Sequence, residues 1–460
     1  MFRFYCALLA GKLAVIGCKV LGKVMHRGGT NLPGEVALKI CPDFLKYIGR
    51  PPQIVTVTGT NGKTTTTNMI VDVLEKSGYQ VLSNREGGNI ASGIATCLMN
   101  GVSLSNKPRY PLAVLEVDER SSLRIYPYVR PDYTICTNLF RDSCMRNAHP
   151  HFIYDIIEQA MPDTTTLFLN ADDILSSRLK KDNKRIYYSI DRQPEDRTEP
   201  FNILNDMRIC PRCQETLEYD YVRYNQIGRV HCPKCGLRSP EPDFHVSAID
   251  YDNRLVTIEH NGMREEYPMV SDSIFNIYNE LTVVTFLRTF GVSADKICDA
   301  LADTRIVDSR YRFEVVNGIQ VISTMAKSWI APAVSVVFDY VRNLPHRKEI
   351  VLMIEDTDYN VIASENLTYM YDTDFEFLND PLIENIVVIG VRSKDYLLRM
   401  LLAGIDEDRI HCTENISDIP KLMHFSKDID VHIIYDMHQM VNYEKIRQTV
   451  KDAIRGGKQA

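Results

Sequence analysis

Ile54-Val55-Thr56-Val57-Thr58-Gly59-Thr60-Asn61-Gly62-Lys63-Thr64-Thr65-Thr66-Thr67 is a β-branched run that breaks at two glycines and then enters a helical pattern. It predicts a buried strand, a phosphate-binding loop and a helix start. Gly59 and Gly62, with Thr60 and Asn61 between them, allow a tight turn that aims amide N–H groups and a helix N-terminus at a polyphosphate. Lys63 adds a point charge, Thr64 a hydroxyl for magnesium, and Thr65 a further polar group at the helix start. Val57 stands where the full Walker pattern has its first glycine, so the spacing alone is a partial match. The competing reading is a plain glycine turn after a buried strand, but such a turn rarely needs a lysine followed by four threonines.

Outward from this loop, strand-like and helix-like runs alternate. Met69, Ile70, Val73 and Leu74 continue the helix, and Tyr79–Leu82, Leu112–Val117 and Tyr133–Asn138 read as further strands. The pattern predicts an α/β fold with a mostly parallel sheet covered on both faces. Ligands of such sheets collect beyond the carboxyl ends of the strands, which places Glu116, Asp118, Glu119 and Asn138 to meet a nucleotide and its magnesium; a solvated strand end is the alternative for any one of them. Ile350–Ile354, Ile386–Ile389 and Val431–Tyr435 predict buried strands of a second α/β layer. His149 and His151 have no metal spacing and are expected on a loop surface.

The chain has 460 residues, enough for two or three domains. Hydrophobic residues make up 45% and the formal net charge is -7, which argues against general nucleic-acid binding by bulk electrostatics. Of twelve cysteines, eight lie singly in the sequence. The other four form Cys210-Pro211-Arg212-Cys213 and Cys232-Pro233-Lys234-Cys235, and two C-x-x-C pairs eighteen residues apart supply four thiolates for a tetrahedral zinc. With no coordination position left open, the expected zinc is structural; a redox dithiol is the alternative. Leu217, Tyr219, Tyr221 and Val222 predict the ribbon's hairpin, Gly228 and Gly236 its tight turns, and the proline- and acid-rich flanks mark it as an insertion.

The first two dozen residues predict an amphipathic helix rather than a signal peptide, because Lys12, Lys19 and Lys23 interrupt the apolar run. Transient contact with a membrane surface through Arg3, Lys12, Lys19 and Lys23 is a second expectation. No segment has a full-length uninterrupted apolar span.

Assembled, these residues resemble the Mur ligase superfamily, and within it the MurT-type subunits. The loop from Thr58 to Thr65, Leu115–Glu119, Asn138–Asp142, Asn170–Asp173 and Asn276–Asn279 are similar to successive family motifs in the family's order; the four-cysteine insert marks the subfamily. Gly29–Gly34 and Gly390–Asp395 extend the match toward both ends. The resemblance implies an N-terminal helical arm over 1–50 and a central P-loop ATPase domain over 51–300, with the zinc ribbon inserted at about 205–242. A C-terminal ligase domain over 301–460 follows. It implies ATP and magnesium as cofactors and amidation of the D-glutamate α-carboxyl of lipid II through an acyl phosphate. Ammonia would come from a class I, GatD-type glutaminase that forms a heterodimer by docking on the C-terminal domain. The work would be cytoplasmic, at the inner membrane face.

Carried over residue by residue, Gly59 to Gly62, Lys63 and Thr64 hold phosphates and magnesium, Glu116 is a magnesium carboxylate, and Asn276 and Asn279 are adenine-side asparagines. Arg312 and Lys327 resemble nucleotide-contacting groups of the last domain. Ser143-Cys144-Met145, Ser328-Trp329 and Tyr435–His438 depart from the family pattern. Asn366 stands where the subfamily has an aspartate that completes the partner's cysteine–histidine triad. An amide carries no charge to stabilise an imidazolium, but it can orient the ring; Asp356, Asp358 and Glu365 are alternatives for the role. A ligase using free ammonia or another amine, and a nucleotide-binding subunit without chemistry, are the other readings.

Overall fold

The computed structural model describes residues 1–25, 31–85, 88–142, 149–302, 311–326, 330–354, 367–436 and 439–456. The chain divides into two compact units. The first holds residues 1–140, 149–199 and 207–304, and the second holds Arg305 onward with Pro200–Asp206 and the segment beginning at Arg141.

The first unit opens with three helices, α1 (Phe2–Met25), α2 (Leu32–Ile40) and α3 (Phe44–Tyr47). Its sheet then alternates strands and helices: β1 (Gln53–Thr58), α4 (Lys63–Lys76), β2 (Val81–Ser83), α5 (Ala91–Asn100) and β3 (Leu112–Glu116). After the short α6 (Ser122–Ile125) come β4 (Tyr133–Cys136), α7 (Pro150–Ala160), β5 (Thr166–Asn170) and β6 (Arg185–Ile190). A hairpin of β7 (Glu218–Tyr224) and β8 (Ile227–His231) precedes β9 (Phe244–Asp250), β10 (Leu255–His260) and β11 (Met263–Pro268); α8 (Ile274–Phe290) and α9 (Ala294–Ala302) follow.

The nine-stranded sheet has the order β11-β10-β9-β6-β5-β4-β1-β3-β2. All pairings from β2 to β9 are parallel, whereas β9, β10 and β11 pair antiparallel and close one edge. β1 is central, and its last five residues are buried, as expected for a β-branched run enclosed on both faces. Alternate residues feed two cores. Ile54, Leu115, Cys136 and Leu169 join α1, α2, α5 and α7 on one face. Val55, Val57, Ile135 and Phe168 join α4, α8 and α9 on the other. Each fully buried Val, Leu or Ile contributes roughly 1.5–3 kcal/mol, so these cores hold the sheet edges that present the site.

The second unit contains β12 (Tyr311–Val316), β13 (Ile319–Ala326), α10 (Ala331–Asn343), β14 (Arg347–Met353) and α11 (Thr368–Asp372). It continues through β15 (Ile383–Ile389), α12 (Ser393–Leu402), β16 (Ile410–Thr413), α13 (Ile419–Leu422), β17 (Ile429–Asp436) and α14 (Met440–Gly456). The sheet order is β12-β13-β17-β14-β15-β16, parallel except for the β12–β13 hairpin. The three strands expected here from their apolar runs are β14, β15 and β17.

His432, on β17, is fully buried, and neither ring nitrogen has a hydrogen-bond partner among the described residues. Burial, helped by the positive charge of Lys348, pushes its pKa down to about 3. The folded chain therefore refuses a proton that the unfolded chain accepts below about pH 6.5, and stability is lost as pH falls through that window. Urea unfolding at pH 7 and pH 5 should show a loss of about 2 kcal/mol that His432→Phe lacks. An equal loss in both proteins would assign the acid sensitivity elsewhere.

Candidate functional site

The loop between β1 and α4 is held in shape before any ligand is considered. Thr60 N–H donates to the Asn138 carbonyl at 2.8 Å, and Asn61 N–H to Asn138 Oδ1 at 3.0 Å. Thr137 Oγ1 donates to the Asn61 carbonyl at 2.6 Å. Asn138 is itself fixed downstream, because Leu139 N–H donates to the buried Asp173 carboxylate at 2.7 Å. The exit of β4 and the Asn170–Asp173 segment thus form a bed for the loop.

Gly62 caps α4 in a left-handed conformation (φ 83°), and a Cβ there would lie 2.2 Å from Asn279 Oδ1. Asn279 is buried on α8; its amide donates to Asn276 Oδ1 at 3.2 Å, and Asn276 in turn donates to Ser271 Oγ at 3.2 Å. Two asparagines separated from the loop by more than two hundred residues are therefore seated against the loop and its helix. Gly62→Ala is expected to weaken ATP binding by about tenfold and cost roughly 1–3 kcal/mol of stability, since the backbone strain and the clash act together. Calorimetric titration and thermal denaturation check both effects.

Opposite the loop, β3 ends in an acidic group. Glu116, Asp118 and Glu119 are only 5%, 6% and 5% exposed. Lys63 Nζ lies 2.7 Å from Glu119 Oε1 and also donates to the Gly59 carbonyl. Burial works against charge on Lys63, but Glu119, Glu116 and Asp118 together outweigh it and raise the ammonium's pKa. Burial, with the like charge of Asp118, pushes the Glu119 carboxyl up. Three buried carboxyls against one ammonium leave a deficit of positive charge.

Thr64 Oγ1 donates to Glu116 Oε2 at 2.8 Å, so a hydroxyl and a carboxylate, both hard oxygen donors, stand together at the helix start. This donor set fits magnesium. Glu116 is held from two sides by residues that sequence reasoning missed. Asn84 brackets its backbone, accepting from its N–H and donating to its carbonyl, each at 2.9 Å; Asn89 Nδ2 donates to Glu116 Oε1 at 2.9 Å. The one available signal was the place of Asn84 just beyond the carboxyl end of β2, and it does not point to Glu116.

The four cysteines meet. Their sulfurs all lie within 4.8 Å of one another, with Cys210 and Cys235 at 3.6 Å and Cys213 and Cys232 at 3.5 Å. A tetrahedron of thiolates about 2.3 Å from zinc has edges of about 3.8 Å, so the cluster fits zinc and is too open for disulfides. The two knuckles repeat one another: Cys210 N–H and Cys232 N–H each donate to a carbonyl five residues on, at 2.7 Å. The residue after each second cysteine, Gln214 or Gly236, has positive φ.

β7 and β8 form the expected hairpin. Gly228, expected in a turn, lies within β8 instead, where a Cβ would meet the Tyr221 carbonyl oxygen at 2.1 Å; close cross-strand approach is what excludes a side chain there. From β7, Arg223 pairs with Asp196 at 2.6 Å and approaches Asp172 at 3.7 Å, while Tyr278 of α8 donates to Asp172 at 2.6 Å.

Arg312 lies in the second unit, paired with Glu314 at 3.2 Å and Glu444 at 3.4 Å. Lys327, Asn366 and Ser143–Met145 fall outside the described residues, as do Asp356, Asp358 and Glu365. His149 lies exposed just before α7, as expected of a loop surface, and caps the helix, its ring Nδ1 accepting from His151 N–H at 3.3 Å; His151, expected on the same loop, is half-buried in the first turn of α7 instead.

The matching family model and relatives define an ATP-dependent ligase of the Mur type. The Mur ligase middle domain model matches residues 57–206, and the MurT ligase C-terminal model matches 332–451. In fold the chain is similar to a pseudomurein peptide ligase type C from Methanothermus fervidus, at TM-score 0.67 and 19% identity over 89% of this chain and 81% of that one. A MurF ligase from Thermotoga maritima gives TM-score 0.60 and 13% identity over 92% and 84%.

Over nearly full length the chain is 31% identical to the MurT subunit of lipid II isoglutaminyl synthase (glutamine-hydrolyzing) from Staphylococcus aureus strain COL, covering 88% of this chain and 89% of that one. The Streptococcus pneumoniae counterpart is 28% identical over 96% and 97%. The chain belongs to the MurT family.

Proposed function

We propose that this chain is the synthetase subunit that amidates the D-glutamate α-carboxyl of lipid II. The single observation that carries the reading is the joint presence of the Lys63–Thr64–Glu116 constellation and near full-length similarity to MurT subunits. A carboxylate is a poor electrophile, and transfer of the ATP γ-phosphoryl to it makes an acyl phosphate that ammonia can attack. Lys63 and, in the Gly59–Gly62 loop, the amides of Gly59 and Gly62 would hold the phosphates, the Thr60 and Asn61 N–H groups being engaged by Asn138; Thr64 with Glu116 would hold the magnesium, which supplies neutralisation of charge developing on the phosphates. Asn84 and Asn89 orient Glu116, and Asn276 with Asn279 would flank the adenine. The resemblance assigns further nucleotide contacts in the second unit to Arg312 and Lys327.

The nitrogen source on this reading is a glutaminase subunit of the GatD type, with Asn366 orienting the partner's histidine. The Asn366 departure favours a second reading in which free ammonia is used. Mass spectrometry of lipid II after incubation with the chain, ATP and magnesium separates the two. Amidation both with ammonium and with glutamine plus a glutaminase subunit supports the partnered synthetase; amidation with ammonium alone supports the second reading. No amidation under either condition would overturn the assigned substrate.

A further inference from the structure

The N-terminal helix α1 has two apolar faces. One is anchored: Phe4, Ala7 and Leu8 are buried, Phe4 stacks on Phe44 at 5.3 Å, and Gly11 packs closely against Met99. On the other face Phe2, Tyr5, Leu9, Leu13 and Ile16 are 86%, 44%, 55%, 61% and 59% exposed. Their spacing of three, four, four and three residues keeps all five on one stripe of a helix that advances about 100° per residue. A bare stripe of this kind says only that something apolar covers it. Its charge says what. Before Glu35 the sequence contains Arg3, Lys12, Lys19, Lys23 and Arg27 and no acidic residue, in a chain whose net charge is -7.

A second copy docked through the same stripe would bring two acid-free, cationic segments together, at a cost in repulsion. An anionic lipid surface accepts the apolar side chains and attracts the acid-free, cationic segment at once, even though Arg3 also donates to the Ile40 carbonyl and Lys12 to the Met99 and Val102 carbonyls at 2.7 and 2.8 Å. No helix among the described residues is long and apolar enough to cross a membrane. At about 1.5 Å per residue α1 offers a rod of roughly 36 Å to lie in the interface plane.

We propose that the Phe2–Tyr5–Leu9–Leu13–Ile16 face of α1 is a docking surface for anionic phospholipid. The helix seats its exposed stripe at the level of the headgroups while its opposite face stays packed on α2, α3 and α5. The contact is reversible, since one half-embedded stripe and a few cations give modest affinity that salt weakens.

The test is co-sedimentation of the purified full chain with vesicles of phosphatidylglycerol and phosphatidylcholine, beside vesicles of phosphatidylcholine alone. The chain should bind the anionic vesicles about tenfold more strongly, and Leu9→Ser with Leu13→Ser should lose about tenfold of that binding with Tm unchanged. If that variant lowers Tm, Phe2→Ser with Ile16→Ser reports on the same stripe. Absence of binding to anionic vesicles, or equal binding by the variants, would overturn the proposal. So would a wild-type dimer in sedimentation velocity that the variants convert to monomer, because the face would then belong to a second copy.

Discussion

Lys63→Met is expected to lower ATP-dependent product formation by about a thousandfold or more, because it removes the ammonium that Glu119, Glu116 and Asp118 hold charged at the mouth of the phosphate loop. The substitution has a structural cost as well. It leaves three buried carboxyls without their ammonium, so Tm should also fall. Adding Glu119→Gln separates the two effects: the amide relieves the uncompensated charge and should restore much of the lost Tm while leaving activity at the level of the single variant. Recovery of activity in the double variant would show that Lys63 matters as a partner of Glu119 and not as a phosphate ligand. Activity near wild type in Lys63→Met would exclude the loop from catalysis.

Cys232→Ser is expected to take zinc content from one ion per chain to none and to unfold the ribbon. Metal binding contributes on the order of 10 kcal/mol to folding of small four-ligand modules, and three cysteines cannot replace it. The loss should spread. Cys210, Leu217, Val230 and Cys232 are part of the core shared with α1, α2 and α5, and Arg223 on the hairpin is the charged partner of Asp196 beside Asp172. Tm should drop by at least roughly 5 °C, and limited proteolysis should open between residues 207 and 240 before it cuts the sheet. Elemental analysis and peptide mapping check each part. Iron in place of zinc in the purified protein would correct the metal while leaving the fold argument intact.

What was legible in the sequence was local chemistry. The loop between β1 and α4 stood out because a plain turn rarely needs a lysine and four threonines after its glycines, and the paired C-x-x-C motifs are more specific still. The apolar runs that became β1, β3, β4, β14, β15 and β17 were readable because parallel strands are buried on both faces and need no alternation. The antiparallel edge was harder: β10 is buried or half-buried with Thr257, Glu259 and His260 in it, and β11 is largely exposed and carries Arg264, Glu265 and Glu266. Asn84 and Asn89 were missed for a different reason. Their role is to hold Glu116, about thirty residues further on, and an isolated asparagine beyond a short strand carries no mark of its distant partner. Asn279 was recognisable only through a family likeness; the structure adds that its amide oxygen fills the space a side chain on Gly62 would need.

The ribbon leaves the chain after β6 and returns at β9, and those two strands are hydrogen-bonded neighbours, with Tyr188 opposite Phe244 and Ile190 opposite Val246. Departure at Ile190 and return at Phe244 are thus offset by one strand spacing and two residues of rise, roughly 8 Å. A segment with ends that close resembles a cassette: the register of the host sheet is written in β6 and β9 themselves, while Leu217, Tyr224, Ile227 and Val230 tie what lies between to the two cores. A chimera carrying a foreign four-cysteine module between Ile190 and Phe244 would keep that register only if it also rebuilt the seams to its host: a cation in the place of Arg223 beside Asp172, an amide in the place of Gln226 on the Leu139 carbonyl, and apolar side chains in the places of Leu217, Val230 and Ile227.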